Sequence, residues 1–135
     1  MPIYGIDLGT TNSLLGLGDR LLTDLVPSVV NLQDGRAGNE VKHDPNSVRS
    51  FKCDISMSAE GQESVAASAR VLRQLVTESG ADVKKVVISV PAYFSDNQRQ
   101  ATVKAAKLAI SGMVPVIGKI MSDASETVLI SAGIA

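Results

Sequence analysis

The sequence has few of the residues that form disulfides, metal centres or aromatic binding platforms. It contains one cysteine, Cys53, which cannot form a bridge within the chain, and one histidine. Two tyrosines, two phenylalanines and no tryptophan do not support base stacking as a way of binding nucleic acid. Because the thiol is single and no charged, apolar leader stands at the N-terminus, we expect a reducing, cytoplasmic setting.

The chain also lacks an excess of charge of either sign and any long apolar run. Thirteen basic residues stand against fourteen acidic ones, which argues against a nucleic acid or an anionic membrane as the main partner. The apolar runs are too short to cross a bilayer. A length of 135 residues is enough to bury a core without disulfides. We therefore predict one domain over residues 1–135, with residues 31–80 as a small inserted subdomain.

Apolar spacing predicts an α/β fold with a mixed sheet and covering helices. The predicted elements are strands at 2–8 and 13–18, a helix at 63–79 stopped by Gly80, a buried strand at 86–90, a helix from Ser95 to about Ile110, a strand at 114–121, and a last helix capped by Ser122 or Asp123. Ser95 and Gln98 have the spacing of a capping box. In the helix that follows, we expect a narrow face for close packing, made of Ala101, Ala105, Leu108 and Ala109.

The turn between the first two strands, "DLGTT" at residues 7–11, carries more chemistry than a hairpin needs. Gly9 lets the backbone turn sharply and approach a ligand closely. Thr10 and Thr11 supply hydroxyls and backbone N–H donors in a turn of the kind that holds anions. Asp7 places a carboxylate where a hydrated Mg²⁺ could bridge to phosphates. A plain polar turn remains the alternative, since the chain contains neither a P-loop nor a dinucleotide-binding fingerprint.

Three stretches together resemble the Hsp70 (DnaK-like) chaperone family, in the first lobe of its N-terminal ATPase domain. They are "YGIDLGTTNSLLGL" at 4–17, "VPSVV" at 26–30 and "VVISVPAYFSDNQRQATVKAAKLA" at 86–109. The resemblance implies an actin-like, ribonuclease-H-like fold that binds ATP or ADP with Mg²⁺ between two lobes. It also implies site roles: phosphate binding by Gly9, Thr10, Thr11 and Asn12, a water-mediated Mg²⁺ contact by Asp7, and a catalytic lysine at Lys52 in "SFKCD".

The chain departs from the family after Ala109. Where the family has a catalytic glutamate, this chain has "SDASETVLI", so the resemblance puts Asp123 at that place, as a catalytic carboxylate or as a helix cap. The second phosphate loop, the second lobe and the peptide-binding domain have no counterpart. We therefore expect that this chain alone binds Mg-ATP weakly or not at all and hydrolyses it negligibly, and that hydrolysis needs a second lobe.

Other functions remain open at this point. The chain could be a non-catalytic module that keeps the fold and binds a protein partner, or a relative of the sugar kinases, which share the phosphate turn. Cochaperones or unfolded proteins would be bound through parts that this chain lacks. A homodimer could rebuild a two-walled cleft.

Overall fold

The computed structural model describes residues 3–110, 112 and 114–120, in which two helices accompany a mixed sheet. The four longer strands are β1 (Ile3–Leu8), β2 (Asn12–Leu17), β7 (Lys85–Pro91) and β8 (Val114–Ile120). Four two-residue strands lie between them: β3 (Arg20–Leu21), β4 (Val26–Pro27), β5 (Val29–Val30) and β6 (Val48–Arg49). The helices are α1 (Gln62–Ser79) and α2 (Asp96–Ala109).

The sheet has the order β3-β2-β1-β7-β8, with β4 also paired to β2. Strands β1 and β2 form the predicted antiparallel hairpin, whereas β7 runs parallel to both β1 and β8. A strand with parallel neighbours on both sides is buried on both faces when helices cover the sheet. This explains the run of apolar and small residues in β7, in which Ile88, Val90 and the intervening Ser89 are all buried. The predicted α/β class with a mixed sheet is confirmed.

Both helices begin or end where local signals in the sequence predict. The N–H of Gln98 donates to Ser95 Oγ at 3.2 Å, and the N–H of Ser95 donates to Gln98 Oε1 at 2.9 Å. This reciprocal pair is the capping box that starts α2. Helix α1 ends at Gly80, whose φ of 67° lies in the left-handed region that glycine adopts without strain.

The predicted packing face of α2 is wrong at one position. Ala101, Ala105 and Ala109 are buried as expected, but Leu108 is 56% exposed. The buried stripe also includes Thr102 and Ala106. Since successive residues are turned by about 100° around a helix axis, this stripe is centred away from Leu108 and leaves that side chain at its margin.

One hydrophobic core joins the sheet to both helices. Ile6 of β1, Ile88 of β7 and Leu72 of α1 are fully buried in it. Phe51, from the segment predicted to form an inserted subdomain, belongs to the same cluster; the boundaries of that subdomain, residues 31–80, stay a prediction. The predicted last helix lies outside the described residues. No helix within the described ranges is long and apolar enough to span a bilayer.

The capping box predicts how much the first turn of α2 contributes to stability. Ser95→Ala removes the side-chain acceptor for the N–H of Gln98 and should lower the free energy of unfolding by about 1 kcal/mol. Ser95→Asp keeps an acceptor at the same place, and its free energy of unfolding should stay within a few tenths of a kcal/mol of the wild-type value. Urea unfolding followed by circular dichroism measures both variants. Equal losses in the two would show that the cap is not what stabilises this turn.

Candidate phosphate-binding site

The site begins at the turn from β1 to β2, which has a shape that only glycine permits at its first position. A Cβ atom on Gly9 would collide with the carbonyl oxygen of Asn12. The chain therefore folds back on itself more tightly here than any other residue would allow. Thr10 and Thr11 form the exposed tip of the turn, and Asn12 begins β2.

Two buried serines hold this turn in place through a closed ring of hydrogen bonds. The N–H of Gly9 donates to Ser13 Oγ at 3.1 Å, and Ser28 Oγ donates to the carbonyl of Gly9 at 2.8 Å. The two hydroxyls lie 2.8 Å apart. Because the single hydroxyl proton of Ser28 goes to Gly9, Ser13 donates within the pair. A fourth bond, from the N–H of Ser28 to the carbonyl of Thr11 at 2.8 Å, joins the tip to the same serine.

The ring decides which donors of the turn are left for a ligand. The N–H of Gly9 is used by Ser13, so Gly9 contributes shape rather than a free donor. In the described part of the chain, the backbone N–H groups and hydroxyls of Thr10 and Thr11 donate to no protein atom. Four donors of the two threonines thus remain at an exposed, rigidly held tip, an arrangement that suits an anion.

A pocket of about 190 Å³ adjoins this tip. One part of its lining is the turn itself, Thr10 to Asn12, together with the corner between β4 and β5. The rest comes from Lys42, Arg49 and Ser50, three exposed residues of the segment around β6. Of the described lining residues none is acidic and two, Lys42 and Arg49, are cationic, so the pocket carries a net positive charge.

Asp7 and Lys52 lie close enough to interact electrostatically. Asp7 is half-buried near the end of β1, beside Ser89 of β7, whose hydroxyl lies 3.4 Å from Asp7 Oδ1. Lys52 is only 5% exposed. Burial lowers the pKa of its ammonium, and the negative charges of Asp7 and Cys53 partly oppose that shift. Within the described ranges, no carboxylate oxygen lies within 4.0 Å of its Nζ, so the two charges do not form a direct ion pair.

Lys52 is held by a short helical turn, Lys52–Asp54, that is tied to α2. The side-chain amide of Gln98 donates to the carbonyl of Cys53 at 3.2 Å. Gln98 is also the second half of the α2 capping box. The start of α2 therefore fixes the position of a buried lysine that is more than forty residues away in sequence.

The structure brings together most of the residues that the sequence singles out. The turn residues line one pocket, and the charge of Asp7 acts on Lys52. Asp123 lies outside the described residues. Sequence reasoning assigned no role to Ser13, Ser28, Lys42 or Arg49. Ser28 stands within the quoted "VPSVV", but a serine at a corner between two short strands gives no local signal that its hydroxyl closes a ring with a turn nineteen residues earlier.

The residues suit Mg²⁺ held by one carboxylate and by phosphates rather than by a protein cage. No group of three or more His, Cys, Asp or Glu that could hold a metal ion occurs in the part of the chain that the structure describes. Mg²⁺ keeps several waters and is commonly bound through one or two carboxylates plus substrate phosphates. Asp7 fits that arrangement, since Ser89 is its one hydrogen-bonding partner among the described side chains.

Comparison with known proteins gives one consistent family. A family model described as "Hsp70 protein" matches residues 30–118, a range that includes Lys52 but not the turn. A chaperone protein HscA homolog from Tolumonas auensis is 39% identical over 78% of this chain. Proteins called chaperone protein DnaK from Mycoplasmopsis agalactiae and Halobacterium salinarum are 35% and 33% identical over 79% of it. The chain spans 24%, 22% and 21% of the lengths of these three relatives.

A buried serine inside the ring and a buried serine outside it should respond differently to substitution by alanine. Ser28→Ala leaves the Gly9 carbonyl and the Ser13 hydroxyl without their partner and should lower the free energy of unfolding by about 1–3 kcal/mol. Ser68 of α1 is equally buried, but its hydroxyl has no partner among the described residues. Ser68→Ala should therefore be neutral or stabilising, since it removes an unsatisfied polar group and favours the helix. Chemical denaturation of the two variants tests this, and a Ser28→Ala protein as stable as wild type would contradict it.

The burial of Lys52 predicts that its charge costs stability. Lys52→Met keeps the length of the side chain and removes the buried charge, so the variant should gain about 1 kcal/mol in the free energy of unfolding near pH 7. Between the lowered pKa and the ordinary value of 10.5, the unfolded chain binds more protons than the folded one. Wild-type stability should therefore rise with pH through that window relative to the variant.

The measurement is urea unfolding at several pH values up to the ordinary lysine pKa. Lys107→Met, on an exposed part of α2, is the matched control, since it makes the same substitution without removing a buried charge. A constant difference between wild type and Lys52→Met across the same range would contradict the buried-charge explanation.

Proposed function

The chain belongs to the Hsp70 family, and we propose that it forms part of the first lobe of that family's ATPase domain, binding the phosphates of Mg-ATP through the Asp7–Thr11 turn. The observation that supports this most directly is the state of the turn. Its backbone is held by Ser13 and Ser28, while Thr10 and Thr11 keep donors that no described protein atom uses. The family match favours this function over that of a sugar kinase.

Each residue of the site has a distinct role in this proposal. Thr10, Thr11 and Asn12 hold phosphate oxygens, and Gly9 allows the turn to approach them closely. Asp7 would hold Mg²⁺ through water, and the ion would supply positive charge that offsets the charge of the phosphates. Lys52 directs its ammonium toward the terminal phosphate and positions the attacking water. Asp123 is kept as a proposed catalytic carboxylate.

Lys52 is suited to this role by the environment that burial gives it. A lysine with few waters around it holds its proton less firmly and interacts more strongly with a charge that arrives nearby. A phosphate placed beside it would raise its pKa again. Phosphate binding would then be accompanied by uptake of a proton by Lys52 above neutral pH.

The described residues supply one wall of such a site. Phosphoryl transfer depends on charge stabilisation and positioning from several sides of the transferred group. We therefore propose that this chain alone binds Mg-ATP weakly, hydrolyses it negligibly, and contributes to hydrolysis when a second lobe completes the cleft. The same proposal includes binding of cochaperones or unfolded proteins through parts that this chain lacks. It also includes a homodimer as the alternative way of completing the cleft, and a cytoplasmic location.

The Mg²⁺ contact can be tested by nuclear magnetic resonance, which detects weak binding. Adding Mg-ATP to the ¹⁵N-labelled chain should shift the amide signals of residues 9–12, with a dissociation constant of about 1 mM. Omitting Mg²⁺ should weaken wild-type binding but leave Asp7→Asn binding unchanged, because that variant has already lost the ionic contact. Asp19→Asn, in the exposed turn between β2 and β3, is the matched control and should behave as wild type.

Two results would count against the proposal in different ways. Amide signals of residues 9–12 that do not move at tens of millimolar Mg-ATP would show that the turn does not bind phosphate. Calorimetric titration that gives micromolar affinity for a monomer, or phosphate release well above the buffer rate, would show instead that one wall is enough.

A further inference from the structure

The phosphate pocket has a second side whose chemistry neither the turn nor the family match accounts for. Lys42, Arg49 and Ser50 line it together with the threonine turn. They come from the segment between β5 and α1, more than thirty residues after the turn. The contacts that Arg49 and Lys42 make with the rest of the fold decide whether their position at the pocket is fixed.

A short chain of backbone pairings places Arg49 beside the turn. Asn12 pairs with Pro27 in the sheet, and the N–H of Ser28 donates to the carbonyl of Thr11. The next residue, Val29, pairs with Arg49 between β5 and β6. Three consecutive residues, 27–29, thus connect the turn to the arginine through backbone bonds, so the position of Arg49 does not depend on a flexible side-chain contact.

Arg49 in turn organises Lys42. One guanidinium nitrogen, Nη2, donates to the carbonyl of Lys42 at 3.0 Å. This contact uses one of the five N–H donors of the guanidinium. The others and the lysine ammonium have no acceptor among the described side chains. Both side chains are exposed and free to meet an anion in the pocket.

Two of the acidic residues of the same segment, Asp34 and Asp44, are engaged away from the pocket. Arg36 forms ion pairs with Asp34 at 2.9 Å and with Asp44 at 3.9 Å. Asp44 also accepts from the side-chain amide of Asn31 at 3.0 Å. No carboxylate of the described residues lies within 4.0 Å of the charged nitrogens of Lys42 or Arg49. Arg36 is therefore neutralised, whereas Lys42 and Arg49 at the pocket have no carboxylate partner among the described residues.

The backbone beside these cations is strained. Ser50, which follows Arg49 and lines the pocket, has a φ of 56°. Among the described residues it is the only one other than glycine with a positive φ. A side chain in that region costs free energy that the rest of the fold must supply, and such residues cluster at ligand sites.

The size of the pocket indicates what it takes. A volume of about 190 Å³ is below the roughly 300–1,000 Å³ of pockets that enclose a drug-sized ligand. The pocket is too small for a base and a sugar as well as phosphates. Threonine donors on one part of the lining and two cations on another match a phosphate chain with several negative charges.

We propose that Lys42 and Arg49 form the cationic side of a polyphosphate site, in which the terminal phosphates of a nucleotide, or a free polyphosphate, lie between these cations and the Thr10–Thr11 tip. The assignment rests on the proposed phosphate binding by the turn and extends it to residues that come from the segment after β5. Arg49 supplies paired N–H donors to phosphate oxygens, and Lys42 supplies a mobile point charge.

The test is a nuclear magnetic resonance titration of the full 135-residue chain with tripolyphosphate, with Mg-ATP and orthophosphate as separate arms. Lys42→Gln and Arg49→Gln should each weaken tripolyphosphate binding about three- to tenfold. Arg49→Lys should recover part of the loss, and rising salt should reduce the difference between variants. Arg36→Gln is the matched control: it removes a cation from the same segment that is already paired, and affinity should change less than about twofold. Melting temperatures confirm that each variant is folded.

The arms separate the sources of phosphate and the possible failures. An equal loss with Mg-ATP and with tripolyphosphate supports a nucleotide tail, whereas a loss with tripolyphosphate alone supports a free polyphosphate. If Thr11→Ala weakens binding while Lys42→Gln and Arg49→Gln do not, the cationic side is wrong and phosphate binding by the turn stands. If wild type binds none of the probes, both fail. Equal binding of a poly-glutamate peptide would overturn the assignment to phosphate.

Discussion

The ring of hydrogen bonds among Gly9, Ser13 and Ser28 is the contact on which the candidate site depends. It joins the first hairpin to the corner after β4 through groups that are buried and fully used. A polar ring of this kind contributes little when intact, because water would satisfy the same groups in the unfolded chain. Its value is geometric: any other arrangement of the turn would leave buried donors and acceptors unpaired. The threonines are therefore presented by a backbone that has little freedom to move.

The same corner carries the positive charge of the site. Ser28 is hydrogen-bonded to the turn, and the next residue, Val29, pairs with Arg49. Ser28 therefore links the shape of the Thr10–Thr11 tip to the position of Arg49. The core reaches the site from the other direction, through Phe51 next to Lys52. Side chains in a close-packed interior transmit displacement. The packing of Phe51 in the core and the pairing of β5 with β6 thus hold Lys52 and Arg49 in their positions.

Local signals were enough to predict the elements, and tertiary contacts explain what was missed. The capping box at Ser95 and the stop at Gly80 depend on residues within one turn of a helix, and both are found where predicted. Leu108 was misplaced because its exposure depends on how α2 is rotated against α1 and the sheet. The candidate site shows the same division between local signals and tertiary contacts. The Asp7–Asn12 stretch can be recognised in the sequence, whereas the position of Lys52 depends on the contact of its helical turn with Gln98 of α2, and that of Arg49 on its pairing with Val29.

A charged site that lies on one wall of a cleft binds tightly only when protein also covers the other side of its ligand. Lys42 and Arg49 line the pocket without a carboxylate partner among the described residues, and burial of Lys52 carries a desolvation cost. The proposed phosphate ligand would offset both costs, so that binding and folding would be linked. For a dissociation constant near 1 mM, a millimolar ligand stabilises the fold by only about 0.4 kcal/mol. A second wall would exclude water and strengthen every charge interaction within the cleft. The charges assembled on this lobe therefore gain most of their effect from whatever closes over it.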